Sequence, residues 1–317
     1  MRYRTLGSRR ISVLCLGTLP FGSAVDDGTS FALLDRFVER GGTFVDTANC
    51  YCFWREGSDG GDSERLLGRW LKARGNREEM VLATKLGALP AGAGEWPANR
   101  EGLSARTVSD AVRGSLNRLG TDRVDLLYGH VDDPRTALEE TVGAFAGLVR
   151  EGLTEQVGMS NQGRERFAAS RELARLAGFP GYAALQQRHS YLRPAPEADF
   201  DYQVALDEPT LDYVRSQPEV TVLAYAALLN GAYAQRGRAV PAEYEHAGTA
   251  RSLTALAEVA AETGATPNQV VYAWMLGGDV AVVPLVGVSS LAQLDEALDA
   301  VELDLTADQR ARLDAAR

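Results

Sequence analysis

The sequence predicts a closed (β/α)8 barrel, the TIM-barrel fold class, from three observations. Eight short apolar runs alternate with amphipathic helices, which is typical of a parallel sheet with helical crossovers. The first run, Val13–Gly17, is not followed by the Gly-x-Gly-x-x-Gly turn of an open dinucleotide-binding sheet. The 317 residues also accommodate one barrel of about 250 residues with extra loops. We therefore expect residues 1–317 to form one domain.

The first predicted element is a hairpin, in which Tyr3–Leu6 and Ile11–Val13 flank a Gly-Ser-Arg-Arg turn. We expect this hairpin to plug the bottom of the barrel. The barrel strands are predicted from runs rich in β-branched and apolar residues, which are typical of strands buried on both faces. After Val13–Gly17 these runs are Thr43–Ala48, Met80–Lys85, Val124–His130, Thr154–Ser160, Ala183–Gln187, Val220–Tyr225 and Val280–Val286.

Capping residues mark the predicted helices between the strands. Helices are expected at Thr29–Arg40 and Asp62–Arg74, each followed by a glycine. A third is predicted at Ser104–Leu119, with Ser104 as its N-cap and a glycine after it. The next is expected to use Asp133 as its N-cap and Pro134 in its first turn.

Two long loops follow the sixth and seventh predicted strands, at Arg193–Glu208 and Gly231–Gly248. Both are rich in proline, glycine and charged residues. Long loops on this face of a barrel commonly bind substrate, so we expect them beside the active site.

The composition excludes several classes of function. The chain has 33 Lys and Arg against 43 Asp and Glu, a net charge of −10, which disfavours a nucleic-acid partner held by phosphate contacts. No apolar run is long enough to predict a membrane span, and the first residues do not resemble a signal peptide. The three cysteines are too few for a disulfide framework, so we expect a cytoplasmic protein. None of the three histidines has metal-site spacing, and no metal is predicted.

Ionisable residues stand at the ends of three consecutive predicted strands, on the face where barrel enzymes place their active sites. Asp46 ends the second strand and is followed by Tyr51, Lys85 ends the third, and His130 ends the fourth. A lysine lowers the pKa of a nearby phenol, a carboxylate keeps the lysine charged, and an imidazole can hold a substrate carbonyl against the phenol. This set suits protonation of an oxyanion as it forms, which is what carbonyl reduction by hydride requires.

The loops on the same face offer a wall for a substrate pocket. Phe21, Phe53, Trp54 and Trp96 are predicted to form it together with the catalytic Tyr51 and His130, unless the loop aromatics simply pack on the barrel. The negative net charge favours neutral carbonyl substrates, such as aldehydes, ketones, sugar derivatives or natural-product intermediates. Cys50 and Cys52 flank the phenol, and we expect them to be ordinary buried cysteines.

Seven stretches of the chain, in order, resemble the aldo-keto reductase superfamily. They are Gly17-Thr18-Leu19-Pro20-Phe21-Gly22, Phe44-Val45-Asp46-Thr47-Ala48-Asn49-Cys50-Tyr51, Ser63-Glu64-Arg65-Leu66-Leu67-Gly68, Ala83-Thr84-Lys85, Asp125-Leu126-Leu127-Tyr128-Gly129-His130, Val157-Gly158-Met159-Ser160-Asn161 and Pro284-Leu285-Val286-Gly287-Val288-Ser289-Ser290. The resemblance implies a catalytic tetrad of Asp46, Tyr51, Lys85 and His130, with Tyr51 as the proton donor.

The resemblance also implies a nicotinamide cofactor, usually NADPH. Ser160, Asn161 and Gln186 would bond the nicotinamide amide, and Tyr225 would stack on its ring. The helix that starts near Ser290 would offer its positive end to a phosphate. The full set of implied cofactor residues is Thr18, Asp46, Ser160, Asn161, Gln186, Tyr225, Leu228, Gly231, Gly287, Ser289, Ser290, Gln293 and Glu296.

Two departures from the family pattern bear on this cofactor. The family typically has a basic residue where Ser289 stands, and often an arginine where Gln293 stands, and these cations bind the 2′-phosphate of NADPH. NADH is therefore an alternative cofactor. His189 stands where many relatives have tyrosine, and the sequence does not indicate whether it reaches the site.

Two further functions remain as alternatives. A cofactor-binding barrel can act as a regulatory or interaction subunit, although the intact tetrad argues against it. A metal-dependent barrel lyase or hydrolase would need a cluster of ligands, which the sequence does not offer.

Overall fold

Eight parallel strands close into a barrel in the computed structural model, which describes residues 1–234 and 238–317. Each barrel strand pairs with the next along the chain, and the last pairs with the first, which confirms the predicted (β/α)8 barrel. The strands are β1 (Tyr3–Leu6) and β2 (Arg9–Ser12), which form the antiparallel hairpin, and then β3 (Cys15–Gly17), β4 (Phe44–Asp46), β5 (Val81–Leu86), β6 (Val124–Gly129), β7 (Thr154–Ser160), β8 (Tyr182–Arg188), β9 (Thr221–Tyr225) and β10 (Val282–Gly287).

Helices cover the outside of this barrel. They are α1 (Asp27–Glu39), α2 (Asp62–Arg74), α3 (Ala105–Leu119), α4 (Leu138–Arg150), α5 (Arg164–Leu176), α6 (Glu208–Arg215), α7 (Thr249–Thr263), α8 (Pro267–Leu276), α9 (Leu291–Asp299) and α10 (Ala307–Ala316). Helix α3 follows its prediction closely, because the Ser104 side chain accepts a hydrogen bond from the Thr107 amide at 3.3 Å and Gly120 ends the helix at φ 65°. Helix α1 starts two residues earlier than predicted because Asp26 is its cap.

The predicted start of the fourth helix is wrong. Asp133 and Pro134 lie in a turn, and α4 begins only at Leu138. The Asp133 carboxylate instead accepts hydrogen bonds from the Leu103 amide at 2.9 Å and the Thr136 hydroxyl at 2.8 Å. Its oxygens therefore hold the loop after β6 against the loop after β5, in place of capping a helix.

The hairpin closes the lower end of the barrel, as predicted. Leu6 and Ile11 are buried in one cluster with interior side chains of the barrel strands, among them Phe44, Ala83 and Tyr128. A larger apolar layer fills the space between the strands and the surrounding helices. Together these layers fill the interior and leave the opposite end of the barrel for the loops.

Long loops follow β8 and β9, as predicted, although Glu208, the predicted end of the first loop, already lies in α6. The chain runs from the end of β8 to α6 through 189–207, and from the end of β9 to α7 through 226–248, of which 235–237 lie outside the described residues. Within the described part of the chain, no helix has both the length and the apolar character needed to cross a membrane.

Candidate active site

Alternation along the strands directs the predicted catalytic residues into the upper end of the barrel. Ala83 on β5 and Tyr128 on β6 pack inside the barrel. Because strand side chains alternate between faces, the residues two positions later, Lys85 and His130, point to the same side. Asp46 ends β4 and is also fully buried.

The Lys85 ammonium bonds two of the other three tetrad residues, Asp46 and Tyr51. Its Nζ donates hydrogen bonds to the Tyr51 hydroxyl at 3.0 Å, to the Thr47 carbonyl at 2.8 Å and to the Asp46 carboxylate. Lys85 and Asp46 have no exposed side-chain surface. Gln186 on β8 donates from Nε2 to the second oxygen of Asp46 at 3.0 Å. All three ammonium protons and both carboxylate oxygens therefore have partners, as buried charges require.

These contacts fix the charge states of the site. Burial alone would lower the pKa of Lys85, but Asp46 and Tyr51 outweigh it and hold that pKa above its ordinary value. Burial raises the pKa of Tyr51, and Lys85 offsets this only in part. The sequence predicted that the lysine lowers the pKa of the phenol. Lys85 does lower the pKa of Tyr51, but desolvation raises it by more. Tyr51 is therefore a neutral phenol at neutral pH, as a proton donor must be.

His130 lies beside the Tyr51 ring. The two rings meet edge to face, with centroids 6.0 Å apart at 74°. The backbone of His130 is anchored on both sides, because its amide donates to the Leu86 carbonyl at 2.8 Å and its carbonyl accepts from Asn161 Nδ2 at 3.0 Å. Desolvation and the Lys85 charge both hold the pKa of His130 well below its ordinary value, so the imidazole is neutral.

A cavity of about 430 Å³ opens directly above these groups. Its aromatic wall consists of Phe53, Trp54, Trp96 and Tyr202, with the Trp96 and Tyr202 rings 4.8 Å apart. Phe21, which was expected in this wall, is instead fully buried in the apolar layer behind it. The residues lining the cavity are Leu19, Cys50, Tyr51, Phe53, Trp54, Ala88, Trp96, His130, Ser160, Asn161, Gln186, Tyr202, Gln203 and Tyr225.

Four of the residues implied for the nicotinamide line one side of this cavity: Ser160, Asn161, Gln186 and Tyr225. The Tyr225 hydroxyl donates to Asn161 Oδ1 at 2.6 Å, and Asn161 Nδ2 donates to the Ser160 hydroxyl at 3.1 Å. Thr18, also implied for the cofactor, does not line this cavity: it is fully buried, with its hydroxyl 3.0 Å from the Asp46 carbonyl oxygen. A phenol ring, two amides and a hydroxyl beside the Tyr51 phenol suit a planar amide-bearing ring.

The residues implied for the rest of the cofactor lie on the same end of the barrel. Leu228 and Gly231 follow β9, and Gly287 ends β10 in open space. Ser290 caps α9, where it accepts from the Gln293 amide at 3.3 Å. This exposed turn and helix N-terminus suit a phosphate, so the donors present fit a nicotinamide dinucleotide.

The side chains of Gln293 and Glu296 are bonded to neighbouring residues of the protein. Gln293 accepts hydrogen bonds from the Ser289 amide at 2.8 Å and hydroxyl at 3.2 Å. The Glu296 carboxylate is turned towards α8, where it accepts from the Thr266 hydroxyl at 2.6 Å and Asn268 Nδ2 at 3.2 Å.

The sequence analysis did not predict several residues that line the cavity, and it did not decide whether His189 reaches it. Tyr202 and Gln203 belong to the long loop after β8, so the position of that loop was the signal for them. Cys50 was expected to be an ordinary buried cysteine, yet its Sγ lies 3.4 Å from His130 Nδ1. His189 does not line this cavity: its ring stacks on that of Trp274 on helix α8, with centroids 5.7 Å apart.

Comparisons with known proteins agree with this geometry. The sequence profile of the Aldo/keto reductase family matches residues 13–317. The norsolorinic acid reductase stcV of Emericella nidulans is 32% identical, over 96% of this chain and 78% of the relative. The uncharacterized oxidoreductase YrpG of Bacillus subtilis is 30% identical, over 96% and 92% respectively. The crystal structure of the thermostable aldo-keto reductase Tm1743 with the inhibitor epalrestat superposes over the whole of both chains, with a TM-score of 0.76 and 26% identity.

Proposed function

Because this chain belongs to the aldo/keto reductase family and is an NAD(P)-dependent oxidoreductase, we propose that it reduces the carbonyl group of an aldehyde or ketone to an alcohol. The observation that carries the proposal is the contact from Asp46 through Lys85 to the Tyr51 hydroxyl beneath an aromatic cavity. The nicotinamide cofactor, when bound, supplies the hydride to the carbonyl carbon. The protein must then supply a proton to the carbonyl oxygen.

Tyr51 is the residue that gives this proton. Its neutral phenol lines the cavity and is bonded to the Lys85 ammonium at 3.0 Å. As the O–H bond of Tyr51 breaks, negative charge develops on the phenol oxygen, and the ammonium stabilises it at short range in a buried site. A new O–H bond forms on the product, and water returns a proton to Tyr51 afterwards. General acid catalysis of this kind contributes about 10²–10⁴-fold to a rate.

His130 orients the substrate for this transfer. Its imidazole lines the cavity beside the Tyr51 ring and is neutral, so it can donate one hydrogen bond to the carbonyl oxygen without competing as a stronger acid. A carbonyl oxygen held by both groups has its lone pairs directed at the two donors. His130 therefore positions the oxygen, and Tyr51 protonates it.

Ser160, Asn161, Gln186 and Tyr225 would hold the nicotinamide in this proposal, and the turn from Gly287 into α9 would hold the adenosine end. The segment 287–296 contains no Lys or Arg. A 2′-phosphate would meet hydroxyl and amide groups there in place of a cation. We therefore propose that the enzyme accepts both NADPH and NADH.

The cavity supports a neutral aromatic or otherwise apolar carbonyl substrate. Phe53, Trp54, Trp96 and Tyr202 offer ring faces and edges, which favour planar ligands. The net charge of −10 favours uncharged compounds over anions. The relative stcV is named a norsolorinic acid reductase, so norsolorinic acid should be among the first compounds tested as substrates. All three cysteines are free thiols, which supports the proposed cytoplasmic location.

The Tyr51→Phe variant tests the proposal. Aldehydes, ketones and sugars are assayed with NADPH and with NADH by nicotinamide absorbance, and cofactor binding is measured by fluorescence. We expect Tyr51→Phe to lose about 100-fold or more in kcat with cofactor affinity retained. Tyr213→Phe, which removes a phenol on the outer helix α6, is the matched control. Turnover that survives in Tyr51→Phe would overturn the proposal, and cofactor binding without reduction of any carbonyl would favour the regulatory subunit.

A further inference from the structure

Cys50 touches the one catalytic side chain that Lys85 does not bond. Its Sγ lies 3.4 Å from Nδ1 of His130, within the range for a hydrogen bond to sulfur. Cys50 is nearly inaccessible, with 4% of the residue's surface exposed, and it lines the active-site cavity. The contact thus lies inside the site and not behind it.

The backbone holds Cys50 firmly in this position. The preceding amide, that of Asn49, donates to the Lys85 carbonyl at 2.9 Å, and the Cys50 carbonyl accepts from the Phe53 amide at 3.1 Å. The backbone of His130 is fixed on both sides by Leu86 and Asn161. Two anchored residues therefore meet through their side chains, and their contact fixes the rotation of the imidazole.

The direction of the hydrogen bond follows from the charge states. Burial raises the pKa of Cys50 to about 12, so its sulfur carries a proton at neutral pH. The imidazole is neutral and has one N–H and one lone pair. A thiol sulfur is a weak acceptor, whereas an imidazole nitrogen is a strong one. The favoured arrangement is therefore S–H donating to Nδ1.

We propose that Cys50 is a positioning residue for His130: its S–H occupies Nδ1 and keeps the ring proton on Nε2, the nitrogen left to meet the substrate oxygen. The opposite tautomer would place the proton between Nδ1 and sulfur and leave a lone pair on Nε2. That lone pair would repel a carbonyl oxygen. In metal sites and catalytic triads a partner on one ring nitrogen sets the function of the other in the same way. The proposed effect on turnover rests on the proposed reduction, whereas the tautomer itself does not.

The first test compares two substitutions at one position. Cys50→Ser retains a donor and Cys50→Ala removes it. We expect Cys50→Ala to lose about fivefold in kcat/KM for carbonyl reduction, the cost of one hydrogen bond, and Cys50→Ser to retain most of the activity. Cys52→Ala, which removes a buried thiol bonded to the Phe21 carbonyl, is the matched control. In a His130→Ala background, Cys50→Ala should have no further effect, because its partner is gone.

The second test reads the tautomer without any turnover. The chain has three histidines, so nitrogen-15 spectra of the side chains contain three pairs of imidazole signals, and His130→Ala identifies the pair that belongs to His130. We expect His130 of the wild type to show protonated Nε2 and unprotonated Nδ1. Cys50→Ala should mix the tautomers, and Cys50→Ser should restore the single form. A wild-type ring protonated on Nδ1, or a tautomer that Cys50→Ala leaves unchanged, overturns the proposal even if the enzyme reduces carbonyls.

Discussion

Gln186 Nε2 lies 3.0 Å from Asp46 Oδ2, so the carboxylate that pairs with Lys85 is held from the opposite part of the barrel as well. One oxygen of Asp46 receives the ammonium and the other receives the amide. Because β4 and β8 are not neighbours in the ring, this bond crosses the barrel interior. The Asp46 carboxylate is therefore held both by Lys85 on the neighbouring strand β5 and by Gln186 across the closed barrel.

Removal of either charge of this pair should impair both activity and stability. Asp46→Asn leaves the Lys85 ammonium buried without its counter-charge, and Lys85→Met leaves Tyr51 without the cation that stabilises the phenolate. We expect each variant to lose more than tenfold in kcat. Asp46→Asn should also lose about 3–5 kcal/mol in the free energy of unfolding, the cost of breaking a buried pair. Steady-state kinetics and urea denaturation measure the two effects.

The control for this pair is an ion pair at the surface. Asp35 accepts hydrogen bonds from Arg74 on the outside of the barrel. Asp35→Asn should change the free energy of unfolding by about 1 kcal/mol or less and leave kcat unaltered. Near-wild-type turnover in either Asp46→Asn or Lys85→Met would refute the roles given to these residues.

The aromatic wall should select substrates by shape. Trp54 is half exposed at the rim of the cavity, so Trp54→Ala removes a ring face with little disturbance to the core. We expect its KM to rise about threefold to tenfold for aromatic carbonyl compounds and to change little for small aliphatic aldehydes. Leu176→Ala, at an exposed apolar residue on α5, is the control. An equal change for both substrate classes would argue against ring contacts.

The barrel strands could be predicted because the sequence pattern within each strand favours the same structure that the barrel requires. The run Thr154–Ser160 is a strand with the predicted bounds, and it contains the β-branched Thr154 and Val157 and the apolar Met159, which favour a strand. The tetrad was predicted for a related reason: strand ends of a barrel converge, so Asp46, Lys85 and His130 had to lie near one another.

The contacts of loop residues could not be predicted from local sequence patterns. Asp133 and Pro134 have the local pattern of a helix start, but the carboxylate is used by Leu103 and Thr136. Phe21 stands in a loop, as pocket residues do, yet it is packed into the apolar layer. In both cases a partner distant in sequence decides the outcome, and no pattern within one segment contains it.

A cation at the end of β10 should change the choice of cofactor. Ser289 is exposed, and its amide and hydroxyl both bond Gln293. Ser289→Arg places a guanidinium where the proposed 2′-phosphate would lie, and a charge-assisted bond is expected to stabilise NADPH over NADH. Fluorescence titration with each cofactor measures the ratio of the two dissociation constants. Ser289→Gln adds length without charge and is the control, and an unchanged ratio in Ser289→Arg would disprove this location of the phosphate.

The lowered pKa of His189 should make the free energy of unfolding depend on pH. Its ring stacks on Trp274, and burial, together with Arg317 and Arg193, lowers the pKa to about 3. An unfolded histidine titrates near about 6.5, so between these two values the unfolded chain binds a proton that the folded protein refuses. The stabilising effect of the neutral ring is therefore complete above the unfolded pKa and is lost as the pH falls towards 3. His189→Asn removes this effect, so its free energy of unfolding should fall less steeply on acidification, by about 1.4 kcal/mol per pH unit. Denaturation series across this range measure both slopes. A constant offset between parallel slopes would mean that the ring contributes packing alone and that its pKa is not shifted.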